Sequence, residues 1–492
     1  MAATVHATVR STLPVDDTHP YRSGAWRPNV REWDAPELEV VEGELPDDLE
    51  GVYLRNTENP VHEAIGRYHP FDGDGMLHQI AFGGGTASYR NRFVRTAGFL
   101  AEQDAAESLW TGMLGHPDQS KRDDGWGARG RMKDASSTDV VCHAGQALTS
   151  FWQCGELYAH DPRTLEPQGV AAWVDAFPSP TGVSAHPKLD ERTGELLVFG
   201  YGKAHPYLHV GLVSAGGDLV RTWDVELPGP RLPHDLAFTE HFAIVNDLPL
   251  YWDPELLAQG IHLPRFFPDE PSRFGLIRRD GTEPVRWFEA APTYVLHWIN
   301  AYEDGDEVVL DGYFQHDPSP AKRDDASPHL QSVYRYLDLE QLQTRPHRWR
   351  FDLRTGQTRE QPLSDRITEF GMVDGRIAGR RHRYTYAVTG APGWFLFDGL
   401  VKHDLATGEE DRYAFGEGVY GSETPFAPRP GATAEDDGYL VTFTTDVPND
   451  RSDCLVFDAA DIAAGPIARV RLPERISSGT HSCWVPPAQL PS

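Results

Sequence analysis

Short β-rich runs separated by glycine and proline limit the possible folds of this chain more than any other feature. Typical runs are ELLVFGYG (195–202), EVVLDGYF (307–314) and YLVTFTTDV (439–447), which are rich in β-branched and aromatic residues. The 46 glycines and 39 prolines are spread along the chain rather than gathered in a linker. The pattern predicts an all-β protein, and we expect a single domain over residues 1–492.

A turn motif recurs between the predicted strands. The sequence D-x-x-T-G occurs at 190–194, 352–356 and 404–408, and DPRTL at 161–165 is a looser copy. Asp and Thr side chains bond to nearby backbone in turns, and glycine adopts positive φ, so each copy predicts a hairpin turn. Repeated four-stranded units predict a β-propeller, and about seven blades of roughly 45 to 60 residues would account for the length.

Two segments are predicted to lie outside the blades. Residues 1–40 are interpreted as an N-terminal extension, and residues 97–132 as a helical or loop cap over the top face. The cap begins with AGFLAEQDAAESLWTGMLG (97–115), the best helical candidate in the chain. It is interpreted either as a cap packed on the propeller or as an apolar lid over a substrate entrance.

Charge and cysteine content exclude several classes of partner. A net charge of -29 disfavours binding to nucleic acid or to anionic lipid. No run approaches ~18 apolar residues and the N-terminus lacks an apolar leader, which predicts no stable membrane anchor. Four cysteines without a C-x-x-C pair fit a reducing compartment, so a cytoplasmic location is expected.

Four of the 21 histidines lie at the ends of strand-like runs, in SAHPK, LPHDLAFT, YVLHWINA and SGTHSCW. They are His186, His234, His297 and His481, separated by 48, 63 and 184 residues. Inner strands of a propeller begin near its axis, so residues about one blade apart can converge there. Four imidazoles would suit zinc, copper, iron or nickel. The alternative is that each is an ordinary surface or core histidine.

Two glutamates in apolar settings could orient such ligands. Metal-bound histidines usually donate their other ring N–H to a carboxylate. Glu369 in ITEFGM and Glu423 in GSETPF have the surroundings that this role needs. The alternative is that each is a buried glutamate paired with an arginine.

Several segments together resemble the carotenoid cleavage oxygenase family, and in particular its bacterial lignostilbene-type dioxygenase branch. GVYLRNTENP (51–60) resembles the R-N-x-x-N-P opening of that family, and YHPFDGDGMLH (68–78) is similar to its F-D-G-D-G-M motif. The four histidine segments resemble those that each supply one iron ligand. The likeness extends from about residue 44 to residue 486.

The resemblance implies a seven-bladed propeller with a non-haem Fe(II) on its axis, held by the four histidines. Glu369 and Glu423 would bond to ligand rings, and a third such position falls on Gln153, where the family has glutamate. An amide could still accept an imidazole N–H but would bring no negative charge. The implied reaction is cleavage of a C=C bond by O2 to give two carbonyl products.

The substrate is predicted less sharply. The resemblance implies a small apolar or phenolic alkene, and a phenolic aryl-alkene or short apocarotenoid is favoured over a full-length carotenoid. Lys133 is the candidate for handling a phenol, through a pKa lowered by burial, and Tyr89 and Phe93 are candidate pocket residues. The alternatives are an iron-dependent isomerase or isomerohydrolase-like enzyme, and a binding propeller without chemistry. The oligomeric state is not predicted.

Overall fold

A computed structural model describes residues 2–123, 131–152, 154–259, 261, 263–321 and 335–491. In chain order the strands are β1 Thr4–Thr8, β2 Arg31–Ala35, β3 Val40–Gly43, β4 Gly51–Asn59, β5 Asp74–Gly83, β6 Thr86–Phe93, β7 Asp139–His143, β8 Gln146–Ser150, β9 Tyr158–His160, β10 Pro167–Val170, β11 Lys188–Asp190, β12 Glu195–Tyr201, β13 Tyr207–Val213, β14 Leu219–Glu226, β15 Ala237–Phe238, β16 Phe242–Asp247, β17 Leu250–Trp252, β18 Pro264–Phe266, β19 Ser272–Arg278, β20 Arg286–Ala290, β21 Trp298–Asp304, β22 Glu307–Gln315, β23 Thr344–Asp352, β24 Thr358–Pro362, β25 Thr368–Met372, β26 Tyr384–Gly390, β27 Phe397–Asp404, β28 Glu409–Ala414, β29 Val419–Tyr420, β30 Phe426–Pro428, β31 Gly438–Asp446, β32 Arg451–Asp458, β33 Pro466–Arg471 and β34 Gly479–Val485.

Helices are short and few in the part of the chain that the structure describes. The α-helices are α1 Ala97–Ala105, α2 Pro254–Leu257 and α3 Leu339–Leu342. Short 3-10 turns accompany them, including Pro70–Asp72 and Arg335–Leu337. Within the described residues, no helix combines the length and apolarity needed to cross a bilayer.

The strands form a seven-bladed β-propeller, which confirms the predicted fold class. The first sheet has the order β1-β2-β6-β5-β4-β34, and the next five are β10-β9-β8-β7, β11-β12-β13-β14, β15-β16-β19-β20, β21-β22-β23-β24 and β25-β26-β27-β28. The seventh sheet has the order β29-β31-β32-β33-β3, with β30 also paired to β31.

Segments from opposite ends of the sequence pair to close the ring. Strand β34 pairs antiparallel with β4, with Trp484 opposite Tyr53. Strand β3 pairs with β33 at the outer edge of the seventh sheet, with Val40 opposite Val470. Strands β1 and β2 extend the outer edge of the first sheet. Residues 1–40, expected to form an extension, therefore contribute β1, β2 and the first residue of β3 to two blades.

The D-x-x-T-G motifs form the predicted turns. In each copy the glycine N–H donates to the carbonyl of the aspartate, over 2.8 Å, 2.9 Å and 2.8 Å for Gly194, Gly356 and Gly408. Each of these glycines has positive φ. The first copy joins β11 to β12, whereas the other two join the third and fourth strands of their blades. The motif therefore reflects local turn chemistry rather than one repeated position in the blade.

Aromatic side chains fill the spaces between blades. Between the fourth and fifth sheets, the ring of Phe274 on β19 lies 5.5 Å from that of Trp349 and 5.2 Å from that of Phe351, both on β23. All three side chains are fully buried. Such contacts remove large apolar areas from water and hold adjacent blades at a fixed angle, which in turn fixes where their inner strands begin.

The cap segment begins with helix α1. The Thr96 hydroxyl accepts a hydrogen bond from the Phe99 N–H at its start, and the Phe99 ring stacks on Phe93 of β6 with centroids 5.2 Å apart. The helix is thus packed on the first blade, as in the first interpretation. Residues 113–116, further along the segment, border an internal cavity, which fits the second interpretation.

Candidate metal centre

Each of the seven blades contributes one histidine, aspartate or glutamate, residue types that bind metals, at or near the start of its inner strand. The positions follow the chain from the second blade round to the first, and the residues are Asp139, His186, His234, His297, Glu369, Glu423 and His481. All seven are buried. The radial arrangement of the blades therefore converts positions that are far apart in the sequence into one compact polar cluster.

The four predicted histidines meet at this point. The ring centroid of His186 lies 4.8 Å from that of His234, 5.1 Å from that of His297 and 4.5 Å from that of His481. The Nε2 atoms of His186 and His234 are 3.2 Å apart. One ligand atom each of His186, His297 and His481 lies within 4.8 Å of the others, a spacing that could hold a metal ion.

The two predicted glutamates contact the far nitrogens of two rings. Glu369 Oε2 lies 2.7 Å from His297 Nδ1, and it also accepts the N–H of Phe370. Glu423 Oε1 lies 3.3 Å from His481 Nδ1, and its Oε2 accepts the Ser482 N–H. Because the carboxylates occupy Nδ1, each ring can present Nε2 to the centre of the cluster.

Asp139 is a third carboxylate at the cluster, and the sequence analysis missed it. Its Oδ2 accepts the backbone N–H of His186 at 3.1 Å and lies 3.5 Å from His186 Nδ1. His186 has a φ of 67°, which is unusual for a residue other than glycine, so this contact helps to hold a strained backbone. The available signal was an aspartate at the first position of the buried run DVVCH.

The protonation of the cluster fits a bound cation. Burial lowers the pKa of His186, His234 and His297 well below the usual range, so these rings are neutral and carry a free lone pair. His297 Nε2 is buried and has no hydrogen-bond partner. Burial also raises the pKa of Glu369 to about 8. A cation bound at His297 Nε2 would satisfy the orphaned nitrogen and stabilise the ionised glutamate.

His481 differs from the other three rings. Burial acts to lower its pKa, but the charge of Glu423 and the hydrogen bond to it outweigh that effect and raise the pKa. Gln153, predicted as a third acceptor for a ligand imidazole, lies outside the described residues. Its neighbour Trp152 has its ring 6.1 Å from that of His234.

Aromatic rings enclose one side of the cluster. The Phe370 ring lies 4.6 Å from that of His297 and 4.9 Å from that of His481. Phe395 and Phe397 pack behind it, at 6.2 Å and 4.9 Å. The wall keeps water from this side of the histidines.

An apolar cavity of about 450 Å³ borders the cluster through His234. Its lining includes Phe71 and Trp152 from the propeller and Met113 from the cap segment. The rest of the rim includes the β17–β18 hairpin and helix α3, with Trp252 and Leu342. These two insertions were not predicted to form the entrance.

Lys133 is not among the cavity-lining residues. Its Nζ lies 2.8 Å from Asp74 Oδ1 and 2.9 Å from Glu102 Oε2, between β5 and helix α1. Burial alone would lower the pKa of Lys133, but the two carboxylates outweigh it and raise the pKa. The expected direction of the shift was therefore wrong, because the two carboxylates pair with the ammonium group. Its role in handling a phenol stays a prediction that these contacts do not favour.

Tyr89 and Phe93 also pack away from the cavity lining. Both lie on the buried face of β6, where buried residues alternate with partly exposed ones. The Tyr89 hydroxyl is 2.7 Å from His78 Nδ1, and the Phe93 ring stacks on Phe99. These contacts place both side chains in the packing of the first blade.

Comparison with known proteins identifies the class. The family model described as retinal pigment epithelial membrane protein, RPE65, matches residues 26–486. The chain belongs to this family, the RPE65/carotenoid cleavage oxygenase family, as the sequence motifs predicted.

Relatives within the family include enzymes of two substrate types. The chain is 31% identical over 484 residues to isoeugenol monooxygenase of Pseudomonas nitroreducens, covering 95% of this chain and 98% of that protein. It is 30% identical over 517 residues to carotenoid 9,10(9',10')-cleavage dioxygenase 1 of Pisum sativum, covering 98% and 92%.

Two solved structures are similar over nearly the whole chain. The lignostilbene dioxygenase of Pseudomonas brassicacearum has a TM-score of 0.83 and 28% identity, covering 96% of this chain and 100% of that one. A cobalt-substituted apocarotenoid oxygenase of Synechocystis has a TM-score of 0.80 and 27% identity, covering 93% and 97%.

Proposed function

We propose that this protein is an iron(II)-dependent dioxygenase that cleaves a C=C bond of an aryl-alkene or apocarotenoid. The observation that carries the proposal is the buried cluster of four histidines bordering an apolar cavity. Imidazole nitrogens suit iron, and the orphaned Nε2 of His297 is a ligand atom without another role in the described residues. The name of the Pisum sativum relative, a carotenoid cleavage dioxygenase, supports this reaction, and that of isoeugenol monooxygenase supports an oxygenase that acts on a phenolic alkene.

The roles of the side chains follow from their contacts. His186, His234, His297 and His481 would hold the iron through Nε2, and bound iron(II) would supply the site that activates O2. Glu369 and Glu423 would fix the ring orientation of His297 and His481 by accepting their Nδ1–H. Gln153, at the family's third such position, stays predicted as a neutral acceptor for the N–H of a ligand imidazole.

The cavity would hold the alkene and exclude water. Phe71 and Trp152, whose ring centroids are 6.5 Å apart, form an apolar wall on the side of His234. Such a wall would keep a planar double bond beside the metal and protect reactive species from water. In the balanced reaction, R–CH=CH–R′ and O2 give RCHO and R′CHO, so no external reductant is needed.

Labelled oxygen tests the proposed reaction. The protein, loaded with Fe(II) without oxygen, is given ¹⁸O₂ with isoeugenol, resveratrol or an apocarotenal, and the aldehydes are analysed by mass spectrometry after rapid quenching. We expect label in both carbonyl products of at least one substrate. Label in one product alone would contradict the dioxygenase and indicate a monooxygenase. An isomerised or hydrolysed product without label would favour the isomerase alternative, and no turnover would favour a binding propeller.

Replacing Glu369 by glutamine should weaken metal binding by about 10- to 100-fold, as is usual when the partner of a ligating histidine is changed. The amide would be neutral and a weaker acceptor for His297 Nδ1–H. Competition with a chelator measures the affinity. Glu360→Gln is the matched control, because Glu360 contacts His347 Nε2 at 3.3 Å outside the cluster. Equal affinities for the two variants would contradict the role of Glu369.

A further inference from the structure

Within the described residues, two buried polar side chains border the apolar cavity with no hydrogen-bond partner for His69 Nε2 or for the Gln315 side-chain amide. His69 is 4% exposed and Gln315 is 2% exposed. The Nε1 atom of Trp152, in the same lining, also has no partner there. The Tyr294 hydroxyl, also in the lining, already has a partner, since it donates to the Leu232 carbonyl at 2.9 Å. Buried polar groups normally have partners, so those without one indicate what the cavity receives.

The proton of His69 is fixed on one nitrogen. His69 precedes the 3-10 turn Pro70–Asp72, and its Nδ1 accepts the Phe71 N–H at 3.2 Å. Burial lowers the pKa of His69 to about 3, so the ring is neutral. A neutral ring that accepts at Nδ1 carries its proton on Nε2. His69 is therefore a hydrogen-bond donor at the cavity, on the side of Phe71.

Gln315 ends strand β22 on the side of the cavity formed by Tyr294. Its backbone is fully used, because its N–H donates to the Thr293 hydroxyl and its carbonyl accepts from that hydroxyl, each at 3.0 Å. The fold therefore does not require the side-chain amide. The amide can donate and accept, so it can bond a hydroxyl or a carbonyl.

An unsubstituted hydrocarbon would fit these groups poorly. Filling the cavity with it would displace water from His69 Nε2–H and from the Gln315 amide and return no hydrogen bond. A site with polar groups aimed at a substrate oxygen discriminates strongly against the analogue that lacks it. None of the described lining residues is Asp or Glu, so an oxygen on the ligand would meet no carboxylate there.

We propose that His69 and Gln315 are specificity-determining residues that select alkenes bearing oxygen substituents over plain hydrocarbons. His69 Nε2–H donates to an ether, carbonyl or phenol oxygen, and the Gln315 amide bonds a hydroxyl or carbonyl. The proposal rests on the proposed function in that it takes the cavity to be the alkene site.

Binding without oxygen tests this selection apart from catalysis. The Kd of the metal-loaded protein is measured anaerobically for two pairs of probes. One pair is 4,4′-dihydroxystilbene and trans-stilbene, and the other is an apocarotenal and the polyene with methyl in place of its aldehyde. We expect at least one pair to show a preference of about tenfold or more for the oxygenated member. Gln315→Leu and His69→Asn should each reduce that preference severalfold.

The variants are chosen to keep the fold. Asparagine at 69 retains an acceptor for the Phe71 N–H, as asparagine does at helix starts, but removes Nε2–H. Leu342→Met is the control, because it alters the apolar lining without changing its polarity and should leave the preference unchanged. Thermal unfolding and metal content establish that each variant is folded.

No preference in either pair, no binding of any probe, or a preference that survives both substitutions would overturn the proposal. The outcome is separable from that of the proposed function. Cleavage of alkenes without a preference for oxygen would overturn only the roles of His69 and Gln315. A preference in binding without any cleavage would support those roles while contradicting the dioxygenase.

Discussion

Replacing His297 with alanine is expected to abolish alkene cleavage and to lower metal affinity by more than about 100-fold. Loss of a group that hydrogen-bonds a ligating histidine lowers metal affinity by up to about 100-fold, and loss of the ligand itself must lower it further. The substitution also leaves Glu369 Oε2 without the ring that it contacts at 2.7 Å. Metal content after dialysis and product formation at saturating substrate are the two measurements.

His382→Ala provides the control for a buried histidine outside the cluster. The His382 side chain is fully buried, lies 3.0 Å from Asn300 Nδ2 and lies 3.4 Å from Asp311. Its loss should lower stability but leave one metal ion per folded chain. A His297→Ala protein that retains metal and cleaves alkenes at a normal rate would contradict the assignment of the centre.

Replacing Lys133 with methionine is expected to reduce the free energy of unfolding by about 3 kcal/mol, as removal of one partner from a buried ion pair does. Asp74 and Glu102 would then remain buried as like charges, since their side chains are only 3% and 1% exposed. Glu102 also accepts the N–H groups of Leu109 and Trp110, so the start of the cap segment should loosen. Chemical denaturation measures the loss.

Lys121→Met is the matched control for this change. Lys121 pairs with Glu107 at 2.7 Å, but the two side chains are 46% and 55% exposed. Exposed pairs contribute less than about 1 kcal/mol, so this variant should unfold almost like the native protein. If both lysine variants were equally stable, the ion pairs of Lys133 would not be what anchors the cap.

Local sequence signals predicted the fold well. Strand composition, the spacing of glycines and the D-x-x-T-G turns are signals that depend on residues a few positions apart. The strands and turns that they predicted are present. The pairing of β3 with β33 and of β34 with β4 joins distant segments. Composition cannot predict it, because any edge strand of suitable length offers the same hydrogen bonds.

The candidate site was predictable where family motifs marked it. Asp139 escaped notice because its partner His186 is 47 residues away and in the next blade. Lys133 was misjudged because burial was considered without Asp74 and Glu102, which come from other elements. In β6, buried and partly exposed residues alternate, which places Tyr89 and Phe93 on one buried face. A strand face that packs against a neighbouring blade and one that lines a cavity give the same alternating sequence pattern, so the sequence does not distinguish them.

The strand that closes the ring also carries one of the four histidines. His481 lies in β34, and the hydrogen bonds between β34 and β4 within the first blade close the ring of blades. A cation bound by His481 and by histidines of three other blades would link the strand that closes the ring to the rest of the propeller. The binding energy of the cation would oppose separation of β34 from β4. Metal binding should therefore slow hydrogen exchange in β34 and β4 more than in β14 or β28, which lie at outer edges of their sheets.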